Sequence, residues 1–175
     1  MKKSNNGGML PIETNYNGIL FRSRLEARWA MFFDLIQARW NYEPEGFTNG
    51  DDSYLPDFVL YNVALRDESS PLYIEIKPES FTQDRYKEWF TKNLVLFNGT
   101  PRQFIWDNNT SEGGFQQTPY WDNCMRIWKC VKCGRMKIEF SEGHYNRCIE
   151  GCDGKSDDAW LLRAAILADS ARFNK

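Results

Sequence analysis

The sequence predicts an α/β fold, a small sheet with helices packed on it. Three observations carry that expectation. Apolar residues recur with a helical period over Ser23–Gln37 and again over Asp157–Phe173. Between them Trp40–Glu43, Tyr54–Tyr61 and Leu72–Lys77 read as short strands. A second helical stretch then precedes a fourth strand, which implies a crossover. The expected order of the core is therefore αβββαβ.

Each element has a local reason. Residues 1–18 are polar and read as a loose lead-in. In the first helix Leu25, Trp29, Phe32, Phe33 and Ile36 make one apolar stripe, Ser23 is the expected N-cap, and Glu26 follows at capping-box spacing. The helix should stop before Asn41, because Trp40-Asn41-Tyr42-Glu43-Pro44 turns extended. Tyr54–Tyr61 alternates around Pro56, and Leu72–Lys77 sets Ile74 and Ile76 on one face. Asn49-Gly50-Asp51-Asp52 and Asp67-Glu68-Ser69-Ser70-Pro71 supply turn chemistry between strands. Pro78 closes the third strand. Thr82–Phe97 reads as a helix ended by Asn98-Gly99 and Pro101, and Gln103–Trp106 as the fourth strand. Residues 107–123 read as a loop, cysteines cluster after it, and Trp160, Leu161, Ala164, Leu167 and Ala168 stripe the last helix. The chain divides into a lead-in (1–18), a core (19–123), a cysteine-bearing insert (124–154) and a C-terminal helix packing on the core (155–175).

Composition narrows the function. The chain has 175 residues, 42% hydrophobic and 15% aromatic, which excludes wholesale disorder. With 22 basic and 24 acidic residues the net charge is −2, so a polycationic coat for nucleic acid is excluded and any such contact must be local or metal-mediated. No run of 18 apolar residues exists, so no membrane span is expected. The first residues lack the apolar stretch of a signal peptide. A cytoplasmic location is expected, and the five cysteines read as metal ligands before disulfides.

The strands carry charges where sheet packing would not put them. Asp57 shares a strand face with Leu55 and Val59, while Glu75 and Lys77 share the face opposite Ile74 and Ile76. Neighbouring strands can bring Asp57 beside Glu75, and two carboxylates so placed repel unless a cation lies between them. Hard oxygen ligands suit Mg²⁺, or Mn²⁺, and Lys77 would point at the same place to stabilise charge on a phosphate. Glu26 borders the apolar stripe of its helix and can lean toward Asp57. The plain alternatives are a strand-end Asp57, a solvated face carrying Glu75 and Lys77, and a Glu26 that only caps its helix.

Pro56-Asp57 followed by Glu75-Ile76-Lys77 resembles the PD-(D/E)xK nuclease motif, and Glu26 resembles the glutamate often carried on that superfamily's first core helix. The expected element order matches its restriction-endonuclease-like αβββαβ core. Phe21-Arg22-Ser23-Arg24-Leu25-Glu26-Ala27-Arg28-Trp29, Tyr42-Glu43-Pro44-Glu45-Gly46-Phe47 and Tyr54-Leu55-Pro56-Asp57-Phe58 resemble phage-encoded members. The resemblance covers about residues 18–106. It implies a Mg²⁺-dependent endonuclease acting on DNA, with Asp57 and Glu75 holding the cation, Lys77 assisting the attacking water and Glu26 completing or orienting the site. Many members place Gly after the lysine; here it is Pro78. Gln83, Arg85 and Tyr86 open the next helix and are within reach of a substrate on this reading, while a solvated helix start explains them equally well.

Cys130-Val131-Lys132-Cys133 and Cys148-Ile149-Glu150-Gly151-Cys152 are two close cysteine pairs at the spacing of a structural Zn²⁺ site, with Gly134 and Gly151 for its tight turns. The segment resembles a zinc ribbon. The expected ligands are Cys130, Cys133, Cys148 and Cys152; Cys124 and His144 are the other candidates. Lys129, Lys132, Arg135, Lys137 and Arg147, among aromatic residues such as Trp121, Trp128 and Tyr145, make a local basic patch for nucleic acid. The tryptophans could instead seal the ribbon against the core. The expected function is thus a DNA endonuclease whose zinc ribbon helps to hold substrate, with a homodimer as one way to cut both strands. The rival is an inactive nuclease fold that binds nucleic acid or a phage or host protein partner.

Overall fold

A computed structural model of the chain describes residues 11–50, 52–65, 71–81, 93–106, 125–140, 148 and 154–173. The first element departs from expectation. Thr14–Tyr16 (β1) and Ile19–Phe21 (β2) form an antiparallel hairpin, so the end of the expected lead-in is structured, while its residues 1–10 lie outside the described residues. Asn17 and Gly18, with φ of 50° and 82°, make its turn, and two successive positive φ values suit Asn-Gly.

Arg24–Leu35 (α1) follows, with Ser23 as N-cap: its Oγ accepts the Glu26 N–H at 3.1 Å. Trp29, Phe32, Phe33 and Ile36 are all buried, as the stripe requires. The helix ends before the expected Gln37. Gln37 is left-handed (φ 60°), its N–H donates to the Asp34 carbonyl and that of Ala38 to Phe33, a Schellman closure.

Seven short strands come next: Trp40–Tyr42 (β3), Phe47–Asn49 (β4), Asp52–Tyr54 (β5), Phe58–Leu60 (β6), Val63–Leu65 (β7), Leu72–Lys77 (β8) and Leu94–Asn98 (β9). Pro101–Trp106 (α2), Met125–Lys129 (β10), Met136–Phe140 (β11) and Asp158–Ser170 (α3) complete the described elements. The expected strand Tyr54–Tyr61 is two strands, broken at Leu55-Pro56-Asp57, where Pro56 has no N–H for a ladder. The part of the expected helix Thr82–Phe97 that is described is strand β9, and Leu94, Val95, Leu96 and Phe97 are all buried. Four consecutive buried apolar residues suit a strand covered on both faces. The expected strand Gln103–Trp106 lies in α2, opened by Pro101 at its first position and by Thr100, whose N–H donates to Gln103 Oε1 at 2.8 Å. Residues 82–92, with Gln83, Arg85 and Tyr86, and the expected loop 107–123 lie outside the described residues.

The main sheet has the order β3-β6-β8-β9, antiparallel except for the parallel pair β8 and β9. β8 and β9 run parallel, and the chain between them includes residues 82–92, which lie outside the described residues. A second sheet, β10-β11-β7, pairs β11 in parallel with β7. The hairpin β4-β5 lies against the main sheet, with the Phe47 ring 4.7 Å from that of Tyr73.

One core runs through these layers. Trp29 of α1 stacks on Phe97 at 4.6 Å, and its Nε1 donates to the Gly99 carbonyl at 2.9 Å. Phe33 meets Phe58 edge-on at 5.3 Å. Leu161, Ala164, Ala165 and Ala168 of α3 join the same buried cluster, as do Ile127, Met136 and Ile138 of β10 and β11. The cysteine-bearing hairpin is therefore anchored in the core of α1.

Candidate functional site

Two clusters stand out, one of carboxylates at the end of the main sheet and one of thiols beyond the second sheet. Asp57 directly precedes β6. Phe58 pairs with Ile74, so the register continued by one step sets Asp57 opposite Glu75. Asp57, Glu75 and Glu26 are buried, at 3%, 4% and 8% exposure. A buried carboxylate needs partners, and each has them. Asp57 Oδ2 accepts the Ile76 N–H at 2.7 Å, and Oδ1 meets Arg22 Nη2 at 2.5 Å. Glu75 accepts from Lys77 Nζ and from the Tyr54 hydroxyl. Glu26 accepts from the Tyr42 hydroxyl at 2.5 Å and the Ser23 hydroxyl at 2.7 Å.

The electrostatics follow from burial. Desolvation, then the charges of Glu75 and Glu26, push Asp57 up to about 7, against the Ile76 N–H and the Lys77 charge. Tyr42 is pushed up to about 12 by burial and by its hydrogen bond to Glu26. Burial works against the charge of Arg22, but Tyr42, Asp57 and Glu43 outweigh it and raise its pKa further. The sequence-derived residues Glu26, Asp57, Glu75 and Lys77 thus share one electrostatic neighbourhood.

Four participants escaped sequence reasoning. Arg22 bridges Asp57 and Glu43, the latter at 2.9 Å from its Nε. Glu43 is left-handed (φ 44°), and its N–H donates to the Asp57 carbonyl at 2.9 Å. Tyr42 and Tyr54 hold Glu26 and Glu75. All four lie within the stretches that carry the family resemblance; only their contacts assign them to the site.

Among the described residues, one group of three His, Cys, Asp or Glu side chains converges closely enough to share an ion, and it is the cysteines. The three expected carboxylates, Glu26, Asp57 and Glu75, do not converge in this way, and Glu26 accepts from Ser23 and Tyr42. The Sγ atoms of Cys130, Cys133 and Cys148 lie within 4.8 Å of one another, and none is in a disulfide. The turn that presents the first two is closed by the Gly134 N–H donating to the Cys130 carbonyl at 2.9 Å, with Gly134 at φ 72°. Three soft sulfur ligands can bind a metal such as Zn²⁺. Cys152, the expected fourth ligand, lies outside the described residues, as do Cys124 and His144.

The expected basic patch divides. Lys132 and Arg135 are exposed on the cysteine turn. Lys137 is a correction: it is buried at 2% exposure with Nζ 4.9 Å from the Trp128 ring, so it is not part of a surface patch. Trp128 itself is buried and packs with Cys130 and Cys148 in a small cluster of their own. Lys129 lies 3.6 Å over the Trp160 ring and 3.3 Å from Gln37 Oε1, joining β10 to α1 and α3. Burial lowers its pKa. Arg147 and Trp121 lie outside the described residues.

No helix among the described residues is long and apolar enough to cross a membrane. In comparisons with known proteins, no family model, no curated protein and no solved structure matches this chain.

Proposed function

We propose that this chain is a divalent-metal-dependent endonuclease that hydrolyses phosphodiester bonds in DNA on a PD-(D/E)xK-type αβββαβ core. The observation that carries the reading is the neighbourhood of Asp57, Glu75 and Lys77 at the paired ends of β6 and β8. Two buried carboxylates at adjoining positions are costly together, and a hard cation relieves that cost. Asp57 Oδ1 and the Glu75 carboxylate would hold Mg²⁺ or Mn²⁺. Such a cation supplies Lewis-acid stabilisation of the phosphate and activation of water. Lys77 would place its ammonium against charge developing on the phosphoryl oxygens. Glu26, fixed by Ser23 and Tyr42, would orient the site from the start of α1. Zn²⁺ on the cysteines would be structural, and Lys132 and Arg135 beside it would meet backbone phosphates.

The rival reading is a nuclease-like scaffold that binds nucleic acid without cutting it. Its support is that Asp57 and Glu75 already have internal basic partners in Arg22 and Lys77. Asp57→Ala separates the two. An enzyme loses cleavage and keeps nearly all its DNA affinity; a scaffold shows no cleavage in either protein.

A further inference from the structure

Arg22 lies between β2 and α1, and its side chain is 54% exposed. From there it reaches inward over a carboxylate side chain only 4% exposed, that of Asp57, with Nη2 at 2.5 Å from Oδ1. Its Nε lies 2.9 Å from Glu43 and 4.0 Å from Glu26, and 3.4 Å from the Tyr42 hydroxyl. One guanidinium therefore supplies positive charge to three carboxylates, one in α1, one just after β3 and one just before β6.

The two oxygens of Asp57 are not equivalent. Oδ2 is committed to the Ile76 N–H of β8. Oδ1 is the oxygen a divalent cation would use, and Arg22 sits on it. A cation bound there would lie against the guanidinium, like charge on like charge. Lys77 is less able to yield, since it is anchored on the same strand as its partner Glu75 and its side chain is 21% exposed. Arg22 springs from a turn at the surface, and a guanidinium matches a phosphate with two parallel hydrogen bonds.

Resting on the nuclease reading, we infer that Arg22 is an exchangeable counter-ion: it caps Asp57 in the metal-free protein, leaves Oδ1 when the divalent cation enters, and turns outward to a phosphate of the DNA. Arg22 and the cation are then competitors, and removal of the arginine strengthens metal binding. A merely structural arginine has the opposite effect, because its loss loosens the carboxylates that a metal needs in place.

The test is Mn²⁺ binding without DNA, followed by titration calorimetry on the full chain. Wild type, Arg22→Gln, Arg22→Lys and Asp57→Asn are compared, each checked for folding by thermal melt. Arg22→Gln should bind Mn²⁺ about fivefold more tightly or better. Arg22→Lys, which keeps the charge but loses the fork, should fall between and guards against a misfolded Gln variant. In the DNA arm, with Ca²⁺ as the metal, Arg22→Gln should reduce the slope of log affinity against log salt by about one. If Arg22→Gln and Arg22→Lys bind Mn²⁺ no more tightly than wild type while Asp57→Asn loses the ion, the exchange is wrong and the metal site stands. An unchanged salt slope removes the phosphate contact and overturns the exchange as stated. If Asp57→Asn binds Mn²⁺ as wild type does, the metal site itself is misplaced and both readings fall.

Discussion

Asp57 Oδ2 accepts the backbone N–H of Ile76 at 2.7 Å, so a side chain of the candidate site also closes the sheet where β6 begins. The contact spans two strands and leaves the other oxygen of Asp57 facing Arg22. Structure and proposed chemistry thus meet in one carboxylate, and their demands on it differ.

That difference is measurable by pH. Burial and Glu75 raise Asp57 from its usual 3.8 to about 7. An acid whose folded pKa lies above its unfolded value favours the fold less as pH rises from the unfolded to the folded value. Asp57 should therefore weaken the metal-free protein progressively from about pH 4 to pH 7. Asp57→Asn should raise Tm in chelator at pH 8 by roughly 2–8 °C, from about 1–2 kcal/mol, with little difference at pH 4. An Asn variant less stable at both pH values would mean that the Arg22 pair outweighs burial.

Zinc should be present at about one ion per chain by elemental analysis, as a closed thiolate site requires. Cys130→Ser or Cys148→Ser should lose the ion and lower Tm, because Ile127, Met136 and Ile138 tie this hairpin to the core of α1. A zinc-free wild type with an unchanged melt on chelation contradicts the assignment.

Gly134 isolates the backbone part of that site. A Cβ placed there meets nothing within 4 Å, yet its φ is +72°. Gly134→Ala should cost about 1–2 kcal/mol through backbone strain alone, read by denaturant unfolding. No loss would mean that the cysteine turn adopts another conformation.

Trp29→Phe should cost about 1–3 kcal/mol, since it leaves the Gly99 carbonyl without the indole N–H while nearly preserving the ring stack on Phe97. Denaturant melts provide the check, and a neutral outcome would mean that water replaces the indole.

Much of this was legible because it is local. The stripe of α1, its Ser23 cap and the limits of β8 follow from period and capping chemistry. Asp57, Glu75 and Lys77 stood out as charges on strand faces. The β1-β2 hairpin carried a readable Asn17-Gly18 signal, masked by the polar residues before it. Leu94–Phe97 was ambiguous by nature, since a short continuous apolar run suits a helix or a doubly covered strand. Pro101 marked a helix start and not merely a stop. Non-local facts were not legible: the parallel pairing of β11 with β7, the burial of Lys137, and the reach of Arg22 across 35 positions to Asp57.

The central claim is metal-dependent cutting of DNA at Asp57 and Glu75, and a cleavage assay tests it most directly. Linear duplex, supercoiled circle, single strand, fork and four-way junction would be incubated with Mg²⁺ or Mn²⁺, beside a chelator control and Glu75→Ala. The account predicts cleavage of at least one substrate that chelation stops and that Glu75→Ala lacks while still folded. Cleavage undiminished in Glu75→Ala, or no cleavage of any substrate by a folded wild type that binds DNA, would contradict it.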